Sequence, residues 1–253
     1  MSFYFYYELT ALQIRRIVEK GKAIAILPIG SVEQHGPHLP VGTDCHIGQA
    51  CVEGALKLAK EGPDYLLLPH LYYGLSIEHE GMAGTITLGA ETLLHILEDM
   101  ASSLACTGIS NLVMITGHGG NEHILEVGAR QIRKKYGINV FCLELFRCLD
   151  NMGVGKDDVH AGQFETSAMM KLHPQMVDEA QIKPEMSSSV EKWKGLADNR
   201  TLATQTWLIV DVAWDGVVGD PRTASAGLGE EWLAELYSRL AHTFDVLSET
   251  VIG

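Results

Sequence analysis

The sequence predicts an α/β fold: a largely parallel sheet covered on both faces by helices. Three observations carry this. Short apolar runs alternate with helical patterns from residue 8 to about 172. The runs are apolar throughout rather than every second residue, as strands buried on both faces require. Each run ends in Gly, Pro or a polar loop, and a helical pattern follows, which is how parallel strands are connected.

The elements follow in order. Residues 8–20 (ELTALQIRRIVEK) place Leu9, Leu12, Ile14, Ile17 and Val18 mostly on one side of a helix. AIAILPIG (23–30) is a buried strand stopped by Pro and Gly. Residues 44–61 read as a helix opening on Asp44, and YLLLP (65–69) as a second strand. Residues 70–89 are loop-like with a small strand candidate at TITL. Residues 90–108 form a helix stopped by Gly108, the usual C-terminal residue. NLVMITG (111–117) is a third strand, 121–136 a helix, and INVFCLEL (138–145) a fourth strand. The stretch 146–159 is polar and contains Gly, and 161–172 returns to a helical pattern. Residues 183–206 are weakly periodic and suit a lid or an oligomer contact. Residues 208–225 mix strand and turn signals, and 228–251 form a long amphipathic helix. With no repeat, linker or low-complexity stretch, residues 1–253 are expected to form one domain.

Composition excludes several functions. Hydrophobic residues make up 46% and charged residues 20%, a globular balance rather than a disordered one. The net charge of −13 opposes nucleic-acid binding, which needs a basic stripe. The densest basic cluster, Arg130, Arg133, Lys134 and Lys135, reads as the solvated end of a helix. No apolar run approaches the ~18 residues of a membrane span. The opening MSFYFYYELT lacks the basic region and apolar stretch of a secretory signal. Five cysteines without a CxxC pair fit a reduced, cytoplasmic compartment.

Three clusters carry chemistry. The first, LPIGSVEQHGPHLPVGTDCH (27–46), begins where the first strand ends, the position at which open α/β sheets bind ligands. Glu33, His35, His38, Asp44 and His46 crowd into it. Glu, His and Asp are ligands for zinc, manganese or iron. Glu33 and His35 are two apart, so an extended backbone points both the same way. His38 and His46 suit a capping or surface role equally well. The second cluster, TGHGGNEH (116–123), follows the third strand and offers His118 in a turn whose glycines let a ligand come close. It lacks the lysine and spacing of a phosphate loop. The third, DDVHAGQFETS (157–167), places His160 in a loop and Glu165 in the first turns of a helix. Each cluster alone has a plain structural explanation. Together they sit at strand ends and helix starts, and they supply enough N and O ligands, with a carboxylate to bridge, for two metals.

GSVEQHGPHLPVGTD, TGHGGN and DVHAGQFETS resemble, in order, the three signatures of the creatininase (creatinine amidohydrolase) family, and the resemblance runs from about residue 8 to 250. It implies a three-layer α/β/α fold, usually in hexamers, with two divalent metal ions. By motif, Glu33 and His118 match ligands of one metal, His35 a ligand of the other, and Asp44 the bridging carboxylate. Where creatininase has a further glutamate ligand, this sequence has Gly120, and Glu122 lies two residues too late. Glu165 is the candidate replacement, with catalytic and ligand roles combined. His160 matches a histidine proposed to transfer protons.

The family does not dictate one substrate. Similar proteins act on creatinine, a formamidopyrimidine nucleotide, a mycofactocin precursor or a keto-inositol. Creatininase places tryptophans near its substrate, one shortly before the HAG segment. Positions 147–159 have none here, and Trp193 is the nearest candidate, which argues against creatinine. The expected activity is hydrolysis of a C–N bond in a small cyclic amide or formamide by a metal-bridging hydroxide, with the Gly119–Gly120 amides as oxyanion donors. The alternatives are ring opening of a keto-sugar or keto-inositol, and a non-catalytic metal-binding subunit.

Overall fold

The computed structural model describes residues 3–155, 157–183 and 206–252. Five strands form one parallel sheet: β1 (Phe3–Phe5), β2 (Ala23–Ile29), β3 (Asp64–Leu67), β4 (Asn111–Thr116) and β5 (Asn139–Glu144). Their spatial order is β1-β3-β2-β4-β5. The helices are α1 (Ala11–Val18), α2 (Thr43–Leu58), α3 (Ala90–Thr107), α4 (Glu122–Tyr136), α5 (Gln163–Leu172), α6 (Ile209–Val212) and α7 (Ala226–Ile252). The segment 183–206 and Trp193 lie almost wholly outside the described residues.

Alternation along β2 builds the layers. Ile24 and Ile26 join Ile47 and Cys51 of α2, Ala168 of α5 and Phe244 of α7 in one apolar cluster. Ala25, Leu27 and Ile29 point the other way, toward Leu93 and Leu97 of α3 and Leu125 and Ile132 of α4. Successive strand side chains leave opposite faces, so a strand apolar at every position is buried twice. The result is the expected α/β/α sandwich.

Local chemistry sets the element ends. Thr10 caps α1, its Oγ1 accepting from the Gln13 N–H while Gln13 Oε1 accepts from the Thr10 N–H. The start at Ala11 is therefore three residues later than the apolar pattern suggests. Gly108 and Gly137 end α3 and α4 in the left-handed conformation that glycine adopts without strain. Arg133, Lys134 and Lys135 occupy the last turn of α4, as read from the sequence.

The structure corrects three readings. Strand β1, at the sheet edge beside β3, has no counterpart among the four predicted strands. It is three half-buried residues long, too short for any periodicity. The TITL segment pairs through a single bridge, Ile86 to Val32, rather than as a strand. Residues 208–225 give a short helix and one bridge, Val218 to His160, instead of a strand. No helix among the described residues is long and apolar enough to cross a membrane.

Strand order locates the crevice. From β2 the chain moves to β3 on one side, and β4 lies on the other. Loops leaving β2 and β4 at their carboxyl ends therefore diverge and open a cleft between them, the place where such sheets bind ligands.

Candidate metal centre

Glu33 and His35 follow β2, Asp44 lies in the first turn of α2, and His118 follows β4. His160 precedes α5 and Glu165 lies in its first turn. All six side chains are buried. The structure brings them into three overlapping groups: Glu33, Asp44 and His118; His35, Asp44 and Glu165; and Glu33, His35 and His160. Within each group the potential ligand atoms lie within 4.8 Å of one another. Asp44 belongs to two groups. Its Oδ1 is 3.1 Å from His35 Nε2, and its Oδ2 is 3.3 Å from His118 Nδ1. Glu165 Oε2 lies 3.8 Å from His35 Nε2.

The outer ring nitrogens show which atoms face inward. His35 Nδ1 is 3.0 Å from the Glu33 carbonyl, His118 Nε2 is 3.0 Å from the Leu75 carbonyl, and His160 Nε2 is 2.7 Å from the Gln34 carbonyl. A carbonyl only accepts, so each of these nitrogens carries a hydrogen. The opposite nitrogen of each neutral ring then presents a lone pair to the centre. Backbone carbonyls orient metal-binding histidines in this way.

Those lone pairs face carboxylate oxygens. His118 Nδ1 is 3.2 Å from Glu33 Oε1, and Glu33 Oε1, Glu33 Oε2 and Asp44 Oδ2 are buried without a hydrogen-bond partner. Buried carboxylate oxygens opposed to imidazole lone pairs need a cation between them, either a proton or a metal ion. The same logic shapes the proton equilibria. Burial opposes charge on Glu33, yet His118, His79 and His160 hold its carboxyl well below the usual range. Burial likewise opposes charge on His35, yet Asp44, then Glu165 and Glu33, raise it to about 10. Burial raises Glu165 to about 8, helped by Asp44 and opposed by His35. The donor set, its orphaned oxygens and its inward lone pairs fit divalent cations.

The HAG segment is held by long-range contacts. His160 exchanges both backbone hydrogen bonds with Val218, at 2.9 and 2.8 Å. Ala161 has φ of 52°, a left-handed conformation that side chains larger than glycine rarely adopt. That turn aims its N–H at Glu165 Oε2, 2.6 Å away. Asp158 then accepts from the N–H groups of Gln163 and Phe164 at the start of α5.

Other sequence candidates sit elsewhere. His38 is buried behind the centre, bonded to Thr166 Oγ1 at 2.9 Å, and burial lowers its pKa to about 4. His46 packs against His173, with ring centroids 4.6 Å apart. Neither joins a ligand group. Gly119 and Gly120 line the cavity over the centre.

Sequence reasoning missed the loop after β3. Glu78 and His79 both line the cavity. Glu78 Oε1 is 3.3 Å from His118 Nε2, and a Cβ on Gly120 would overlap that oxygen and the His118 ring. Glycine at 120 thus leaves room for a carboxylate arriving from another loop. The signal available was the pair Glu78-His79 in a loop that leaves a strand end. Trp193 lies outside the described residues; Trp207, distant in sequence from the HAG segment, lines the cavity.

The family model described as creatinine amidohydrolase matches residues 7–244. A mycofactocin precursor peptide peptidase of Mycobacterium ulcerans (strain Agy99) is 33% identical over 216 residues, covering 83% of this chain and 80% of that protein. A creatinine amidohydrolase of Pseudomonas putida is 29% identical over 193 residues, covering 68% and 72%. A manganese creatininase superposes with a TM-score of 0.75 at 24% identity, covering 94% of this chain and 96% of that one. With the three motifs in order and the family model matched over residues 7–244 of its 253 residues, the chain belongs to the creatininase family.

Proposed function

We propose that this protein is a hydrolase of amide-type C–N bonds that works with two divalent metal ions. Glu33 and His118 would hold one ion, His35 and Glu165 the other, and Asp44 would bridge them. The observation that carries the reading is the pair of buried ligand groups that share Asp44, with the orphaned oxygens of Glu33 and Asp44 opposite the inward nitrogen of His118 on one side and Asp44 and Glu165 opposite that of His35 on the other. Zinc and manganese forms of creatininase among the structural neighbours support these two metals, with iron also compatible with the ligands. Two such ions supply a water of lowered pKa and polarise a carbonyl.

The chain's own residues do the rest. Asp44 and Glu33 concentrate negative charge in a buried site, which would favour cations there. His160 keeps its Nε2–H on the Gln34 carbonyl, which leaves Nδ1 toward the centre to take up and hand on a proton. Burial, with His35 and His79, holds His160 well below the usual histidine range, so it enters the reaction neutral. The Gly119 and Gly120 amides stand at the cavity wall as further donors to a developing oxyanion.

A cavity of about 330 Å³ covers the centre, which is room for a small molecule or one end of a longer chain. Small cyclic amides and formamides are the proposed substrates. Peptide bonds form a second reading, favoured by the greater identity to the peptidase relatives. In this proposal residues 1–253 act as one catalytic domain, in a cytoplasmic homo-oligomer, a hexamer by family resemblance.

Elemental analysis of protein purified without added metal, followed by a screen of lactams, formamides, short peptides and cyclic ketones, tests the reading. Two ions per chain and metal-dependent amide cleavage are expected. Turnover of the ketones alone would shift the assignment to ring opening. One ion without turnover would leave a non-catalytic metal-binding subunit.

A further inference from the structure

Four histidines surround the centre, and one is wired opposite to the others. His79 is buried, lines the cavity, and places Nε2 3.4 Å from Glu33 Oε1. Its Nδ1 is 2.9 Å from Gln34 Nε2. The orientation of the Gln34 amide follows from its other contacts. Gln34 Oε1 accepts from the Gly36 N–H at 2.9 Å, and Gln34 Nε2 donates to the Gly216 carbonyl at 3.1 Å. A flipped amide would set two donors against each other at Gly36 and two acceptors at Gly216. Gln34 therefore donates its second hydrogen to His79 Nδ1, which must be the acceptor. The nearby His160 Nε2 cannot compete for that hydrogen, because its own hydrogen lies on the Gln34 carbonyl.

The hydrogen of neutral His79 then sits on Nε2, facing the centre. His35, His118 and His160 show lone pairs there; His79 shows an N–H. A protonated Nε2 does not bind metal, so His79 is no ligand. Glu33 Oε1, 3.4 Å away, is not aligned to accept this N–H as a hydrogen bond. The amide clamp is built for the purpose. Gly216 has φ of 79°, and a Cβ there would overlap the Gln34 amide.

We infer that His79 is a fixed hydrogen-bond donor to the substrate oxygen that gains negative charge beside the Glu33–His118 metal position. This rests on the metal-hydrolase reading above. A pre-aimed donor to a developing oxyanion needs no reorganisation as charge builds. The residue lies in no motif that marks the centre in the sequence. It comes from the loop after β3 and is set by a glutamine from the loop after β2.

The test uses the zinc-loaded protein, uniformly 15N-labelled at histidine, with inorganic phosphate as a tetrahedral oxyanion probe. Long-range 1H–15N correlation spectra, with His79→Ala used for assignment, should show His79 as the Nε2–H tautomer. Phosphate should move that N–H signal downfield. His79→Ala should keep its zinc and bind phosphate roughly ten-fold more weakly, the loss expected for one hydrogen bond to a charged group. His79→Gln, which retains a donor, should recover part of the affinity; it also serves if the alanine variant fails to fold. An Nδ1–H tautomer, loss of zinc in His79→Ala, or phosphate affinity within about two-fold of the parent would overturn the inference. A parent protein that holds no zinc would instead sink the metal reading itself.

Discussion

The loops leaving β2 and β4 and the segment leading into α5 both feed the same centre, but they are held differently. Glu33, His35 and His118 sit within a few residues of strands in the middle of the sheet, and Asp44 stands in the first turn of a helix packed on it. The HAG segment has no strand beneath it. A single bridge to Val218, the left-handed Ala161 and the Asp158 carboxylate hold His160 and Glu165 in place. The first half of the site is positioned by the sheet; in the second, Glu165 stands at the start of α5 and His160 on a loop tied to another loop distant in sequence. Sites on regular elements are the more precise, and loop-built halves are where relatives can diverge. The proposed use of Glu165 as a ligand, where the family resemblance implies a carboxylate at Gly120, falls on that boundary.

The largest effect should come from the residue that joins the halves. Asp44→Asn is expected to lose both ions and cut turnover by more than about 100-fold, beyond the range for outer-shell changes. Metal analysis and kinetics on the folded variant check this. Retention of both ions would remove Asp44 from its bridging role.

Glu165→Gln should break only the half that α5 enters. One ion per chain should remain, held by Glu33, Asp44 and His118, with turnover down about 10–100-fold. Equal loss of both ions would mean that the two halves are not separable.

Protonation gives a smaller, graded contrast. His35 at about 10 and Glu165 at about 8 must shed protons before they bind metal. Both are raised, so protons compete with metal below these values. Affinity at the His35–Glu165 position should therefore rise with pH across the neutral range, by about ten-fold per unit for each proton released. Metal titrations by calorimetry at several pH values would show it. Flat affinity between pH 6 and 8 would contradict the pairing.

Asp158→Ala should have the mildest effect on the centre. Two N–H groups at the start of α5 lose their partner, which costs about 1–3 kcal/mol of stability. A lowered melting temperature with near-normal metal content is expected. Loss of metal in the folded fraction would show that Asp158 positions Glu165 directly.

Much of this molecule is written locally. Ala23–Ile29 and Asn111–Thr116 are apolar at nearly every position, so strands buried on both faces follow from the sequence alone. Glu33, His35, Asp44, His118, His160 and Glu165 were legible because each lies in a Gly-, Pro- or His-rich stretch at a strand end or helix start. What stayed hidden depends on contacts between distant segments. Strand β1 is defined by pairing with β3 some sixty residues on, as Phe3 faces Tyr65. Trp207 reaches the cavity from a region with no usable pattern. Glu78 and His79 sit in a loop of ordinary composition. The hydrogen on His79 is set by Gln34, Gly36 and Gly216, three residues that no periodicity connects. The sequence by itself determined the layers and the types of the candidate ligands, because burial periodicity and ligand chemistry are properties of neighbouring residues. Only the tertiary structure decided which ring nitrogen faces the centre, because a proton's place on an imidazole is chosen by whatever packs against its far side.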